Sequence, residues 1–329
     1  MTTPTSDLDG AATRRGRFAR RLFADYGSQA LLLLAVVALA LTNRDFRQPA
    51  NLQSVLLQAS FAGVGACGMT LLVISGSFDL SVAGQLALAG IAAAKALPYV
   101  GVGGAVAAAM AVGVVLGIVN GVVVTKVQVP AFIATLGMMY VYIALGLLWT
   151  DSQVAVIADA TYRRIGTGTV AGLPIPFLIM IVAYLAAFAV LRFLTFGRYL
   201  RAVGSNERAA QVAGLPVDRV RVFAFALVGL FTALAGVILS ATLSSANATM
   251  AIGYELTVIA VVVIGGTRLS GGAGTLAGSF TGALLFALIS NGLNMFGVGA
   301  YWQYVAVGLV LITALAIEGA RARLLSAAA

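Results

Sequence analysis

A chain of 329 residues with 61% hydrophobic and only 9% charged residues, and a mean hydropathy of +1.02, is not a water-soluble domain; such a domain carries about 25% charged residues to cover its surface. The chain has no His, which removes histidine bases and most zinc sites. Its single cysteine, Cys67, excludes an internal disulfide, and Lys95 and Lys126, the only lysines, follow no phosphate-binding Gly loop, so no ATPase site is expected.

The N-terminal tail, 1–26, is polar and then basic (Arg14, Arg15, Arg17, Arg20, Arg21). The apolar segment after it, Gly27 to Thr42, lacks a clear cleavage pattern and reads as a retained first helix. Beyond it, no Asp, Glu, Lys or Arg occurs in 48–78, 96–125, 127–150, 165–191, 223–254 or 270–317. A helix needs ~20 apolar residues to cross the ~30 Å hydrocarbon layer. These intervals predict ten crossings, at 27–43, 53–75, 80–98, 101–124, 129–150, 173–194, 221–243, 254–267, 274–294 and 300–318. The eighth is short and bounded by Gly, so it is expected to be tilted or only partly spanning.

With the N-terminus inside, the even connections carry Lys126, then Arg198, Arg201, Arg208, Arg219 and Arg221, then Arg268, and finally Arg321 and Arg323. Cytoplasmic loops are enriched in Lys and Arg, so both termini, including the tail 319–329, are expected in the cytoplasm. The net charge of +9 is read in the same way and not as nucleic-acid binding.

An internal repeat runs through the transmembrane domain, 27–318. Asp79-Leu80-Ser81-Val82 is echoed by Glu255-Leu256-Thr257-Val258. Gly90 and Gly266 follow at the same interval, and Asn120-Gly121 matches Asn291-Gly292. In the ten-crossing layout the two acids begin helices of opposite direction, which makes an inverted-topology repeat of the kind that builds alternating-access pathways. Asp79 and Ser81, or Glu255 and Thr257, can cap these helix starts or serve as gate or pathway groups. Both readings stay open, as they do for Asn120 and Asn291. Gln58, Gln85 and Asn294 are further pathway candidates.

Between the sixth and seventh crossings lies the loop 195–221. Ser205 or Asn206 can cap a compact two-turn helix starting near Glu207, Ala209 and Ala210 favour helix, and Gly214 and Pro216 end it. Glu207-Arg208-Ala209-Ala210 followed by Gly214 resembles the coupling loop of ATP-binding-cassette importer permeases. Together with Asp79-Leu80-Ser81-Val82, Ala131-Phe132-Ile133-Ala134-Thr135-Leu136-Gly137, Phe196-Gly197-Arg198-Tyr199, Gly265-Gly266-Thr267-Arg268 and Tyr301-Trp302-Gln303, it resembles the ribose/xylose/galactose-type monosaccharide permease family over about 51–317.

The resemblance implies an all-α polytopic fold of the type II importer class, in the bacterial inner membrane, and a homodimer or a pair with a related permease. It also implies a cytoplasmic ATPase that uses ATP and Mg and docks at Glu207, Arg208, Ala209, Ala210 and Gly214. A periplasmic or lipid-anchored sugar-binding protein would deliver the solute, and this chain itself would bind no cofactor. Ser75-Gly76-Ser77-Phe78 and Ala83 depart from the family pattern near a gate and leave the sugar open. Leu269-Ser270-Gly271-Gly272 copies most of the ATPase signature but, without a P-loop, reads as a cytoplasmic turn. An ion-coupled secondary transporter is the alternative; it accounts for the repeat and leaves the coupling loop unexplained.

Overall fold

The computed structural model describes residues 28–299 together with 302, 305, 308, 309, 312 and 313. The tails 1–26 and 319–329, most of the tenth crossing, and Tyr301 and Gln303 lie outside the described residues.

Helix α1 (Ser28–Thr42) leads through a short 3-10 turn, Asp45–Arg47, into α2 (Pro49–Ile74). Pro49 occupies the first turn of α2, where a missing N–H costs nothing. The far end of α2 is closed by Gly76 at φ +81°, with Ser77 N–H donating to Leu72 O and Gly76 N–H to Val73 O. That is the Schellman arrangement, in which a left-handed Gly satisfies the last carbonyls.

Helix α3 (Val82–Thr125) has 44 residues. As a single rod it would be ~66 Å long, twice the hydrocarbon thickness. It is broken at Gly101 (φ 68°, ψ −177°), three residues after Pro98. The chain then folds back on itself: Leu97 shares a cluster with Ala105, Leu88 with Leu116, and Asn120 reaches Ser81. The two arms match the third and fourth expected crossings.

Helices α4 (Ala131–Trp149), α5 (Ala160–Thr167), α6 (Ile175–Phe193), α7 (Thr195–Ser205), α8 (Glu207–Val212), α9 (Val217–Leu243), α10 (Tyr254–Ile264) and α11 (Leu276–Met295) follow. Among the described residues six helices, α2, α3, α4, α6, α9 and α11, are long and apolar enough to cross a membrane. Helix α10 has 11 residues, or ~16 Å, about half the layer, because Gly253 and Gly266 bound it in left-handed conformations.

Three details correct the sequence reading. The chain is not purely helical: β1 (Ala155–Val156) pairs with β4 (Ser245–Ala246), and β2 (Thr169–Val170) with β3 (Leu173–Pro174). The 195–221 segment holds two helices, because α7 precedes α8. And α9 begins at Val217, directly after Pro216 at its N-cap, rather than at 221.

Small residues bring the long helices together, as in lipid, where packing supplies the attraction. Along the α3–α9 seam Gly113 faces Gly229, Gly117 faces the Phe225–Ala226 backbone, and Gly121 faces Val222. Helices α10 and α11 meet through Gly265, Gly278 and Gly282 and pack on α2, as α3 packs on α9.

Candidate coupling surface and buried polar network

The α7–α8 segment is built from local signals. The Asn206 side chain accepts the Ala209 N–H at 3.0 Å and so caps α8. After the six residues of α8, Ala213 leads into Gly214 at φ +77°, where Gly214 N–H donates to Gln211 O and Leu215 N–H to Ala210 O, a second Schellman stop. Ala210 is buried against the bundle, whereas Arg208, Ala209, Val212 and Gly214 are exposed.

What holds α8 down is Glu207. Both of its carboxylate oxygens accept from the Arg221 guanidinium of α9, at 2.8 and 2.7 Å. Such a bidentate pair fixes orientation as well as distance. Val212, at 91% exposure, is a large apolar side chain at the tip of a six-residue helix. Beside it a groove of about 530 Å³ is lined by Lys126, Gln211, Pro216, Val217, Asp218 and Arg219. Across the groove Lys126 pairs with Asp218 at 2.7 Å, which ties the α3–α4 link to the start of α9.

A second constellation lies at the start of α3. Asp79 is wholly buried. Its Oδ1 accepts from Ser81 N–H at 2.8 Å and Ser81 Oγ at 2.7 Å, and its Oδ2 from Gln85 Nε2 at 2.7 Å and Asn120 Nδ2 at 2.9 Å. Tyr142 OH of α4 donates to Asn120 Oδ1 at 2.7 Å, and Leu80 N–H donates to Thr135 Oγ1 at 3.0 Å. The sequence candidates Asp79, Ser81, Gln85 and Asn120 thus form one network that joins the chain before α3 to both arms of α3 and to α4. Four donors on one carboxylate meet the requirement that a buried charge be hydrogen-bonded.

The repeat partners are not arranged alike. Glu255 and Thr257 stand in the first turn of α10, half-buried, with Thr257 Oγ1 donating to Gly253 O. Asn291 pairs with Asn51 of α2 through two side-chain amide bonds, at 2.8 and 3.3 Å. Gln58 is partly buried on α2, and Asn294 is exposed near the end of α11; neither belongs to the Asp79 network. Near α10 a cavity of about 220 Å³ is lined by Phe61, Leu86, Met250, Tyr254 and Thr257 among others.

Arg221, Val212, Thr135 and Tyr142 were missed as site residues in the sequence. Arg221 lies 14 residues from Glu207, a spacing that carries no local signal. Tyr142 sits in an apolar run and declares itself only through its partner.

Comparison with known proteins shows the family of the chain. Residues 51–315 match the family described as "Branched-chain amino acid transport system / permease component". The chain is 38% identical to the ribose import permease protein of Bacillus subtilis over 294 residues, covering 87% of this chain and 90% of that protein. It is 36% identical to the ribose import permease protein of Escherichia coli K12, over 97% of this chain and 99% of that one. With the L-arabinose transport system permease protein of the same strain it shares 34% identity over 97% of both chains. No solved structure matches the chain. Apolar helices of spanning length, tight Gly seams and a match across most of its length lead to one conclusion: the chain belongs to the family of branched-chain amino acid transport system permease components.

Proposed function

We propose that this chain is the membrane-spanning subunit of an ATP-driven importer of a monosaccharide, with ATP hydrolysis supplied by a separate subunit. The observation that carries the reading is α8. A capped, Gly-stopped helix is clamped to a long spanning helix by Glu207–Arg221 and presents Val212, Arg208 and Ala209 beside an open groove. A rigid projection of this kind delivers a push from a docked ATPase into α9. The names of the ribose and arabinose permeases support a sugar as the cargo.

In this reading ten crossings make two inverted halves, with both termini in the cytoplasm. The exchanged packing supports it: the α3 hairpin lies on α9, while the α10–α11 pair lies on α2. Two copies, or this chain with a related permease, flank the pathway. A solute-binding protein outside the inner membrane delivers the sugar, and the ATPase uses ATP and Mg below. Domain limits follow as a basic tail 1–26, a permease domain 27–318 with the coupling segment 195–221, and a tail 319–329. Arg208, Ala209 and Gly214 dock the ATPase, on a helix that Ala210 seats against the bundle and Glu207 orients through Arg221. Asp79, Ser81, Gln85 and Asn120 set the start of α3, and Gln58, Glu255, Thr257, Asn291 and Asn294 are the remaining pathway candidates.

The test is uptake of labelled ribose, arabinose and xylose into proteoliposomes holding the permease, its ATPase and its binding protein. Uptake that requires ATP and disappears in Gly214→Val is expected. Uptake driven by an ion gradient without the ATPase would overturn the reading.

A further inference from the structure

The Leu269-Ser270-Gly271-Gly272 string, which mimics an ATPase signature, has a place in the fold that explains its glycines. Three segments far apart in sequence meet there: the end of α2 (Ile74–Gly76), the end of α7 (Gly204–Ser205) and the turn between α10 and α11 (Gly271–Gly272). Gly272 N–H donates to Ile74 O at 2.9 Å, completing the end of α2. A methyl group placed on Gly204 would overlap that same carbonyl oxygen and lie 2.7 Å from Gly272 N. One placed on Gly271 would lie 2.8 Å from Gly76 Cα and 2.9 Å from Gly204 O, and one on Gly272 would lie 2.7 Å from Ser205 Oγ. Gly76, Gly271 and Gly272 also hold φ of +81°, +89° and +75°, which other residues adopt only under strain.

Around Gly204, Gly271 and Gly76 the contact is backbone against backbone, with no side chain between to absorb a displacement by changing rotamer; only at Gly272 does a side chain, Ser205, take part. Close-packed groups of this kind shift together or not at all. On one side of the junction α7 is separated from α8 by Asn206 alone. On another, Gly76 precedes by three residues the buried Asp79 that bonds both arms of α3. On the third, Gly271 follows the half-spanning α10.

We infer that Gly204, Gly271 and Gly76 form a rigid transmission joint that carries displacement of α8 into the start of α3 and the end of α10 at once. The three are positioning residues, acting through the segments they hold. This rests on the proposed coupling role of α8.

The experiment uses the assembled transporter in proteoliposomes with Gly204→Ala and Gly271→Ala, reading ATPase co-purification, ATP hydrolysis and sugar uptake. Retained assembly and hydrolysis with uptake reduced about tenfold, an uncoupled transporter, is expected. Wild-type uptake per ATP, or uptake and hydrolysis falling in proportion, overturns the joint. Should these variants fail to assemble, Gly76→Ala decides: its nearest neighbour is 3.8 Å from the added methyl, so only backbone twist is disturbed. A lowered uptake-to-hydrolysis ratio supports the joint, and an unchanged ratio overturns it. If the α8 reading itself fails, Gly214→Val keeps its uptake. If only the joint fails, Gly214→Val is inactive while Gly204→Ala couples normally.

Discussion

Glu207 and Arg221 show how much one side-chain pair adds to a motif. From the sequence, Glu207 is an acid in a coupling loop and its natural role is contact with a partner. In the fold its carboxylate is turned inward onto Arg221, whose side chain is only 18% exposed. Reversing the charge at this position sets two cations together and frees α8 from α9. Glu207→Lys is expected to abolish uptake while leaving the protein in the membrane, and the exchange Glu207→Arg with Arg221→Glu to restore at least part of it. An inactive exchange variant that still binds its ATPase would count against orientation by the pair. The buried network predicts a different outcome. Asn120→Leu removes a donor to Asp79 and an acceptor for Tyr142, and should destabilise the protein by about 2 kcal/mol, read as a lower melting temperature in detergent.

Helices and turns were largely legible, because their signals are local. Long charge-free intervals located the spanning helices, Asn206 and Gly214 bounded α8, and Gly101 broke α3 near the expected turn. Helices α5 and α7 were not read, since they are short, polar and stabilised by what they lie against. Tyr162 of α5, for example, is buried and shares a hydrogen bond with Ser240 of α9. At this scale the α3–α9 seam makes a sharp prediction. Gly117→Leu would drive a side chain into the Phe225 backbone and cost about 3 kcal/mol, with poor recovery of folded protein. Gly137→Ala on the exposed face of α4 meets no atom within 4 Å and should be neutral or slightly stabilising. Comparable melting temperatures for the two variants would contradict the seam.

For the whole molecule, charge and contacts point the same way. The α7–α8 segment, the Lys126–Asp218 pair and the exposed Arg268 gather at one end, where Gly272 meets Ser205. The β1–β4 pair and the Gly101 break lie at the other, sharing a cluster through Leu97, Ile157 and Ala246. Single cysteines replacing the exposed Arg208 and Val156 are therefore expected to react with an impermeant thiol reagent from opposite faces, the one at 208 only from the inside. Cys67 is fully buried and gives little background. Labelling of both positions from the same side would reject the layout.

Apolarity, spacing of charge and turn chemistry determine that this chain lives in lipid, roughly where its long apolar helices lie, and where the short helix α8 stands. These are one-dimensional properties, decided by a residue and its near neighbours. Only the tertiary structure decided what the matched motifs of the repeat do. Asp79 and Glu255 share a sequence context, yet Asp79 gathers Ser81, Gln85 and Asn120 around a buried carboxylate while Asn291 turns away to Asn51. Likewise, Glu207 finds Arg221 and Gly204 finds Gly271 only when distant segments pack. A buried polar group takes whichever partner the fold brings within about 3 Å, and that choice has no signature along the chain.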